Sequence, residues 1–433
     1  MSDKSVRILI AEGIPSLNKG ELAILVGMLK TFEALGKVKV SVFSFDPSID
    51  DERYPKKVRT VDLRADLFLG ASSTQTSGSV GAMPTVFAAF QHFFFAFLYT
   101  IIGINALKVM KRPIWRRYCE SDIIIICHDG VDYVGGWILN FSPMYITLLA
   151  KALGKTIVIY GNGGITVKRK IWKNLAKYLL SYVTLITVRD EESYSSFKNL
   201  GINTANLHLT GDPAILLPAA DSERIREIML SENITSGNLL VGAIVSHGTL
   251  LHSSKGSDKK YEKLVNEIVE LLDRLIEYFK ATVVFIPHCI DPSQNKDDRI
   301  VAKKIYSKIK NKTNVRMIIN EYTSEELKGL MGQLSLLISS RVHASIGALS
   351  MNVPAITLTY SQDRRAYGLI GKMLKQKKWI YNIENLETDT LFGLVEELLL
   401  ESLKVRKDLL SIVDLAKQKA LINGKLLKNL LNS

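Results

Sequence analysis

The chain has 433 residues, 47% of them hydrophobic and 23% charged, which is enough apolar material for two cores. Lys and Arg outnumber Asp and Glu by 56 to 43, and the net charge of +13 points to an anionic substrate, a membrane surface or nucleic acid. No zinc spacing, basic run or aromatic RNA-binding motif accompanies that charge, so nucleic acid is excluded, and three scattered cysteines (Cys119, Cys127, Cys289) speak against a disulfide framework or a structural metal.

The first apolar run, Val6–Ala11, reads as a strand and is too short for a secretory signal core. With the unpaired cysteines, that sets an expectation of a reduced, cytoplasmic protein. Further strand-like runs follow at Lys39–Phe45, Asp122–Cys127, Lys155–Tyr160 and Val183–Val188, with amphipathic stretches such as Glu21–Leu35 and Ile146–Leu153 between them. A polar, loosely patterned stretch at Ala219–Asn238 interrupts the alternation. It restarts at Leu239–Val245, Thr282–Pro287, Val315–Asn320, Leu334–Ser339 and Ala355–Thr359. Strands alternating with helices predict an α/β fold with mostly parallel sheets. The expected architecture is two Rossmann-like domains facing a cleft. Residues 1–225 form the N-terminal domain, 226–386 the C-terminal domain, and 387–433 a helical tail.

The segment 84–107, PTVFAAFQHFFFAFLYTIIGINAL, predicts a hydrophobic helix. A membrane span needs about 20 apolar residues. The longest stretch here without a strongly polar group, Phe93–Ile104, has 12. Lys108, Lys111, Arg112, Arg116 and Arg117 follow at once. An aromatic helix beside a basic cluster suits the surface of an anionic membrane, and equally a core helix with a solvated end.

Polar residues collect where strands are expected to end, the edge at which doubly wound sheets bind ligands. After the first strand comes Asn18-Lys-Gly-Glu21, where Asn18 and Gly20 fit a cradle for a hydroxyl or an anion, or an ordinary turn. Next are His128-Asp-Gly-Val131 and Tyr160-Gly-Asn-Gly-Gly164; neither is a dinucleotide fingerprint. Arg189-Asp-Glu-Glu-Ser193 opens a helix, and Asp212 before Pro213 reads as a turn residue. In the second half, His247, His288, Arg341 and His343 stand at strand ends. The small residues Ala344, Ser345, Gly347 and Ala348 start a helix whose free N–H groups favour an anion. Arg341 and His343 together fit an anion site with a proton-transfer group beside it, or a satisfied arginine and a core histidine.

These motifs carry a resemblance. Asn18-Lys-Gly-Glu-Leu-Ala23, Val188-Arg-Asp-Glu-Glu-Ser193, Gly211-Asp-Pro213 and Arg341-Val-His343, followed by Pro354 and Tyr360, resemble the polysaccharide pyruvyl transferase family over roughly residues 5 to 385. The resemblance implies a GT-B-like fold and transfer of pyruvate from phosphoenolpyruvate onto two hydroxyls of a glycan or glycolipid precursor, with no metal or other cofactor. It implies that Arg189 and Arg341 bind the donor's carboxylate and phosphate, and that His343 is catalytic. His288 joins the donor side. So does Arg364, which with Arg365 stands displaced from the family's usual basic position. The acceptor side falls to Asn18, Gly20, Glu21 and Asp129 in the N-terminal half. Two departures lie there: Glu21 stands where the family has aspartate, and the loop at Asp129 lacks the expected glycine triplet. Competing readings are a nucleotide-sugar glycosyltransferase on the same fold and a non-catalytic glycan-binding protein.

Overall fold

The computed structural model describes residues 5–62, 82–109, 113–127, 131–134, 142–167, 170–235, 239–291, 296–361 and 363–432. By internal contacts the chain forms two compact units. The first comprises Met1–Ser16, Met28–Gly211 and Leu421–Ser433; the second comprises Leu17–Gly27 and Asp212–Ala420.

Among the described residues the first unit holds nine strands: β1 (Val6–Gly13), β2 (Val38–Ser44), β3 (Val58–Asp62), β4 (Ile123–Ile126), β5 (Val131–Val134), β6 (Thr156–Asn162), β7 (Ile165–Val167), β8 (Leu185–Val188) and β9 (Leu207–Leu209). Seven make a sheet in the order β3-β2-β1-β4-β6-β8-β9, every neighbouring pair parallel, and β5 pairs with β7. The all-isoleucine β4 is buried along its whole length, as a parallel strand covered on both faces requires. The second unit adds β10 (Leu240–Ile244), β11 (Thr282–Phe285), β12 (Val315–Met317), β13 (Leu336–Ser339), β14 (Ala355–Thr359) and β15 (Ile380–Asn382). They form an all-parallel sheet in the order β12-β11-β10-β13-β14-β15. Strand order reverses between β1 and β4 in one sheet and between β10 and β13 in the other, which are the crevice positions of such sheets.

The units are drawn differently from the expected domains. The break falls at Gly211/Asp212 and not near residue 225. The polar stretch after Ala219 contains the helix Ser222–Ser231, capped by Asp221, and buries Ile225 and Ile228 in the second core. Residues 387–433 are not a separate tail. Leu391, Val395, Leu398, Val405, Leu409 and Ala416 fill the second core. Beyond Ala420 the same helix, Ser402–Asn432, belongs to the first unit, where the Asn423 side chain accepts a hydrogen bond from Thr210 Oγ1 at 2.9 Å and donates to the Gly211 carbonyl at 3.0 Å.

The hydrophobic segment forms the helix Ala82–Ile102. One face enters the first core: Phe95 is 0% exposed, with its ring centroid 4.2 Å from that of Trp115. The opposite face carries Phe90, Phe93, Phe94, Phe97 and Ile101, all exposed, at the three- and four-residue spacing of one helical stripe. Among the described residues no helix is long and apolar enough to cross a membrane.

Candidate functional site

The short strand β13 is buried throughout and ends at the reversal point of the second sheet. It delivers Arg341 as the N-cap of the helix Val342–Leu349. The turn between them is locked: Ser339 Oγ accepts from the Arg341 N–H and donates to the Arg341 carbonyl, both at 3.0 Å. Ser345 accepts from Thr357 on the neighbouring strand at 2.9 Å, so the helix start is tied to the sheet.

The Arg341 guanidinium is fixed by one carboxylate. Its Nε and Nη2 donate to Asp298 Oδ1 at 3.2 and 2.7 Å, and Nη2 also reaches the Lys296 carbonyl at 3.2 Å. The other oxygen of Asp298 accepts from the backbone N–H groups of His288 and Cys289 at 3.1 and 2.9 Å. Burial pushes the Asp298 carboxyl up, and Arg341 pulls it back. Asp298 therefore ties the arginine to the loop that follows β11. His288 in that loop is buried. Burial, with Arg341, His343 and Lys19 nearby, pushes its imidazole down to about 3, so it is neutral at neutral pH.

Residues 17–20 join this loop. The Ile290 N–H donates to the Leu17 carbonyl at 3.0 Å, the Lys19 N–H donates to the His288 carbonyl at 2.9 Å, and Asn18 forms an antiparallel bridge with Cys289. Asn18 Oδ1 accepts from the Gly20 N–H at 3.1 Å, closing the turn that opens the helix Lys19–Phe32. The Lys19 ammonium is 2% exposed and pairs with Glu321 at 2.8 Å. Gly20 lies against His343: a Cβ at position 20 would stand 2.8 Å from the His343 Cβ and 3.2 Å from its Nδ1. On its Nε2 side, His343 faces Asp212 Oδ2 at 3.5 Å; the His343 side chain is 9% exposed and that of Asp212 is fully buried.

The structure thus gathers Arg341, His343, His288, Asn18 and Gly20 in the second unit. This corrects the placement of Asn18, Gly20 and Glu21 in the N-terminal domain. They precede most of that domain in sequence, but pairing with the loop after β11 carries them into the second unit. Glu21 lies in the first turn of the same helix. Arg364 is exposed, while its neighbour Arg365 pairs with Asp363 at 3.0 Å. Arg189 belongs to the first unit. It leaves β8 with a buried side chain, and its backbone N–H donates to the Asn162 carbonyl at 3.3 Å. Next to it, Asp190 caps the helix Glu191–Leu200 through Ser193, and burial pushes its carboxyl up. Asp129 lies outside the described residues.

Sequence reasoning missed three residues. Lys19 sat inside a quoted motif without a role. Asp298 carried no local signal. Asp212 reads locally as a turn residue and does cap its turn, accepting from the Ala214 N–H at 2.9 Å; its second neighbour, His343, is distant in sequence.

Comparison with known proteins gives a family and a fold. The sequence profile of the family described as polysaccharide pyruvyl transferase matches residues 18–362. The amylovoran biosynthesis protein AmsJ of Erwinia amylovora is 21% identical over 259 residues, which span 57% of this chain and 60% of that protein. Among solved structures, a glycosyltransferase from Rickettsia africae superposes with a TM-score of 0.57 at 13% identity, covering 99% of this chain and 100% of that one. The UDP-GlcNAc 2-epimerase of Methanocaldococcus jannaschii gives 0.56 at 13% identity over 91% and 92% of the two chains. Anabaena HepE in complex with UDP-glucose gives 0.56 at 10% identity over 99% of each. These likenesses show the fold, a GT-B-like α/β fold with a C-terminal helix.

Proposed function

This chain belongs to the polysaccharide pyruvyl transferase family, and from that premise we propose that it moves the enolpyruvyl group of phosphoenolpyruvate onto two hydroxyls of a polysaccharide or glycolipid precursor, closing a pyruvate ketal. The observation that carries the reading is the Arg341–Val342–His343 turn, where a fixed guanidinium and a histidine leave the same strand end.

The donor has a carboxylate and a phosphate, both matched by the planar fork of arginine. Asp298 holds the Nε and Nη2 side of Arg341, and among the described residues Nη1 makes no hydrogen bond, so that edge serves the donor. Lys19, paired with Glu321, is a second cation near His288. His343 gives a proton to the methylene carbon of the donor as a sugar oxygen bonds to the adjacent carbon. The hydroxyl proton returns to His343, the C–O bond to phosphate breaks, and the second hydroxyl closes the ring. Its proton leaves with the phosphate. Atoms and charges balance without a metal or a redox cofactor. General acid–base catalysis of this kind is worth about 10²–10⁴-fold.

The test combines thermal shift and turnover. Phosphoenolpyruvate should raise the melting temperature by mass action, and His343→Asn should bind it as the parent does but release little phosphate in the presence of acceptor. Stabilisation by a nucleotide sugar and none by phosphoenolpyruvate overturns the reading.

A second observation favours a site of action on the cytoplasmic face of an anionic membrane. The exposed stripe of Phe90, Phe94, Phe97 and Ile101 is followed in sequence by Lys108, Lys111, Arg112 and Arg116. Apolar rings entering the headgroup region beside basic residues make an interfacial anchor. The parent should sediment with vesicles containing phosphatidylserine and release in high salt. Replacing Phe90, Phe94 and Phe97 with Ser should abolish sedimentation while the melting temperature holds. A parent that ignores such vesicles refutes the anchor.

A further inference from the structure

We infer that Asp212 is a positioning residue for His343: it fixes the imidazole and stabilises its protonated form. The inference rests on the reading of His343 as the proton carrier, and it stands on the packing of one helix face.

Gly20 and Gly27 are seven residues apart on the helix Lys19–Phe32, two turns along the same face. Each receives a different part of the pair. At Gly20 the missing side chain admits His343, since any Cβ there would lie 2.8 Å from the His343 Cβ. At Gly27 it admits the backbone after Asp212, since a Cβ there would lie 1.8 Å from the Pro213 carbonyl oxygen. The two glycines let the histidine and the Asp212–Pro213 turn dock on one helix, with the carboxylate 3.5 Å from Nε2.

The turn itself is rigid. Pro213 fixes the backbone after the aspartate, and Asp212 Oδ1 accepts from the Ala214 N–H at 2.9 Å. That bond orients the carboxylate so that Oδ2 faces the ring. Asp212 is 0% exposed, and a buried carboxylate needs a compensating positive charge or donors.

The surrounding charges explain why an acid is needed there. Lys19 and Glu21 come from the helix start, Arg341 from the turn before His343, and His288 from the loop after β11. Burial, together with Arg341, His343 and Lys19, lowers the His288 imidazole, so His288 stays neutral and carries no charge toward its neighbours. Glu321 pairs with Lys19, and Asp298 is committed to Arg341 and two backbone N–H groups. Asp212 is the carboxylate aimed at the imidazole. It lets a histidine among cations hold the proton that the donor's methylene carbon must receive.

The test uses the full chain and Asp212→Asn, which keeps the oxygen that caps Ala214 and removes only the charge. His343 is followed by NMR of its imidazole, assigned by its disappearance in His343→Asn. In Asp212→Asn its titration should move down by about 1–3 pH units. The pH–rate limb that reports the protonated histidine should move with it, while phosphoenolpyruvate affinity stays within about threefold. Should Asp212→Asn misfold, Asp212→Glu, which retains the charge at greater reach, must hold the titration near the parent value. Identical His343 titration in the parent and in folded Asp212→Asn overturns the inference and leaves Asp212 as a turn cap. The two failures are distinguishable. Full turnover by His343→Asn overturns the chemistry assigned to the histidine, whereas the NMR titration reads the pairing without any turnover.

Discussion

Replacing His288 with Gln should alter how stability responds to acid. The folded-state value of the His288 imidazole is about 3, lowered first by burial and then by Arg341, His343 and Lys19. In an unfolded chain histidine titrates near 6.5. Because the folded value is the lower one, the unfolded state takes up the proton first. The stabilisation is complete above about pH 6.5 and is lost as pH falls toward 3, at about 1.4 kcal/mol per pH unit. Between pH 7.0 and 5.0 the loss assigned to this single group is therefore about 2 kcal/mol. For a unit of this size that amounts to about 4–8 °C in melting temperature. Calorimetric melts of the parent and His288→Gln at pH 7.0, 6.0 and 5.0 measure it. A constant offset between the two curves is lost packing; a difference in slope is the proton. His247 also lies low, through burial and Lys304, and contributes equally to both proteins. The variant should lose about 2 kcal/mol less than the parent over this range. Parallel curves refute the claim that His288 stays neutral.

Gly20→Ala places a methyl 2.8 Å from the His343 Cβ; turnover should fall by more than about tenfold with phosphoenolpyruvate affinity nearly intact, because a proton donor displaced by a fraction of an ångström loses rate before it loses binding. Parent-level turnover in that variant would mean that the helix contact is incidental. Arg341→Lys should weaken phosphoenolpyruvate binding by about 1.5–3 kcal/mol, one to two decades by calorimetry; unchanged affinity removes Arg341 from the donor site. Phe95→Ser should destabilise by about 3–5 kcal/mol while Phe97→Ser stays within about 0.5 kcal/mol, although the two are neighbours on one helix; equal melting temperatures contradict the division of that helix into core and exposed faces.

Much of the fold was readable because both sheets are parallel. Runs such as Ile123–Ile126 and Leu336–Ile338 are continuously apolar, and polar loops punctuate them. Arg341 and His343 were readable for the same reason: the end of a short buried strand is a position as well as a composition. What could not be read is contact across the chain. Asp212 gives its whole local signal to the proline turn, and nothing in Gly211-Asp-Pro213 indicates a histidine more than a hundred residues later. Asn18 and Gly20 were assigned by chain position to the wrong unit because backbone pairing with Cys289 leaves no pattern in side-chain chemistry. In the aromatic helix, Phe94, Phe95 and Phe97 look alike in sequence. Only the packing of Trp115 separates the buried ring from its exposed neighbours.

The chain passes between the two units at residues 16/17, 27/28, 211/212 and 420/421. One crossover in the gene therefore cannot exchange a whole unit between relatives. A chimera fused at Gly211 would take Lys19 and Gly20 from one parent and Arg341, His343 and Asp212 from the other. Its helix would have glycines selected to fit a different histidine. A single fusion point therefore divides the residues of the proposed donor site between two parents.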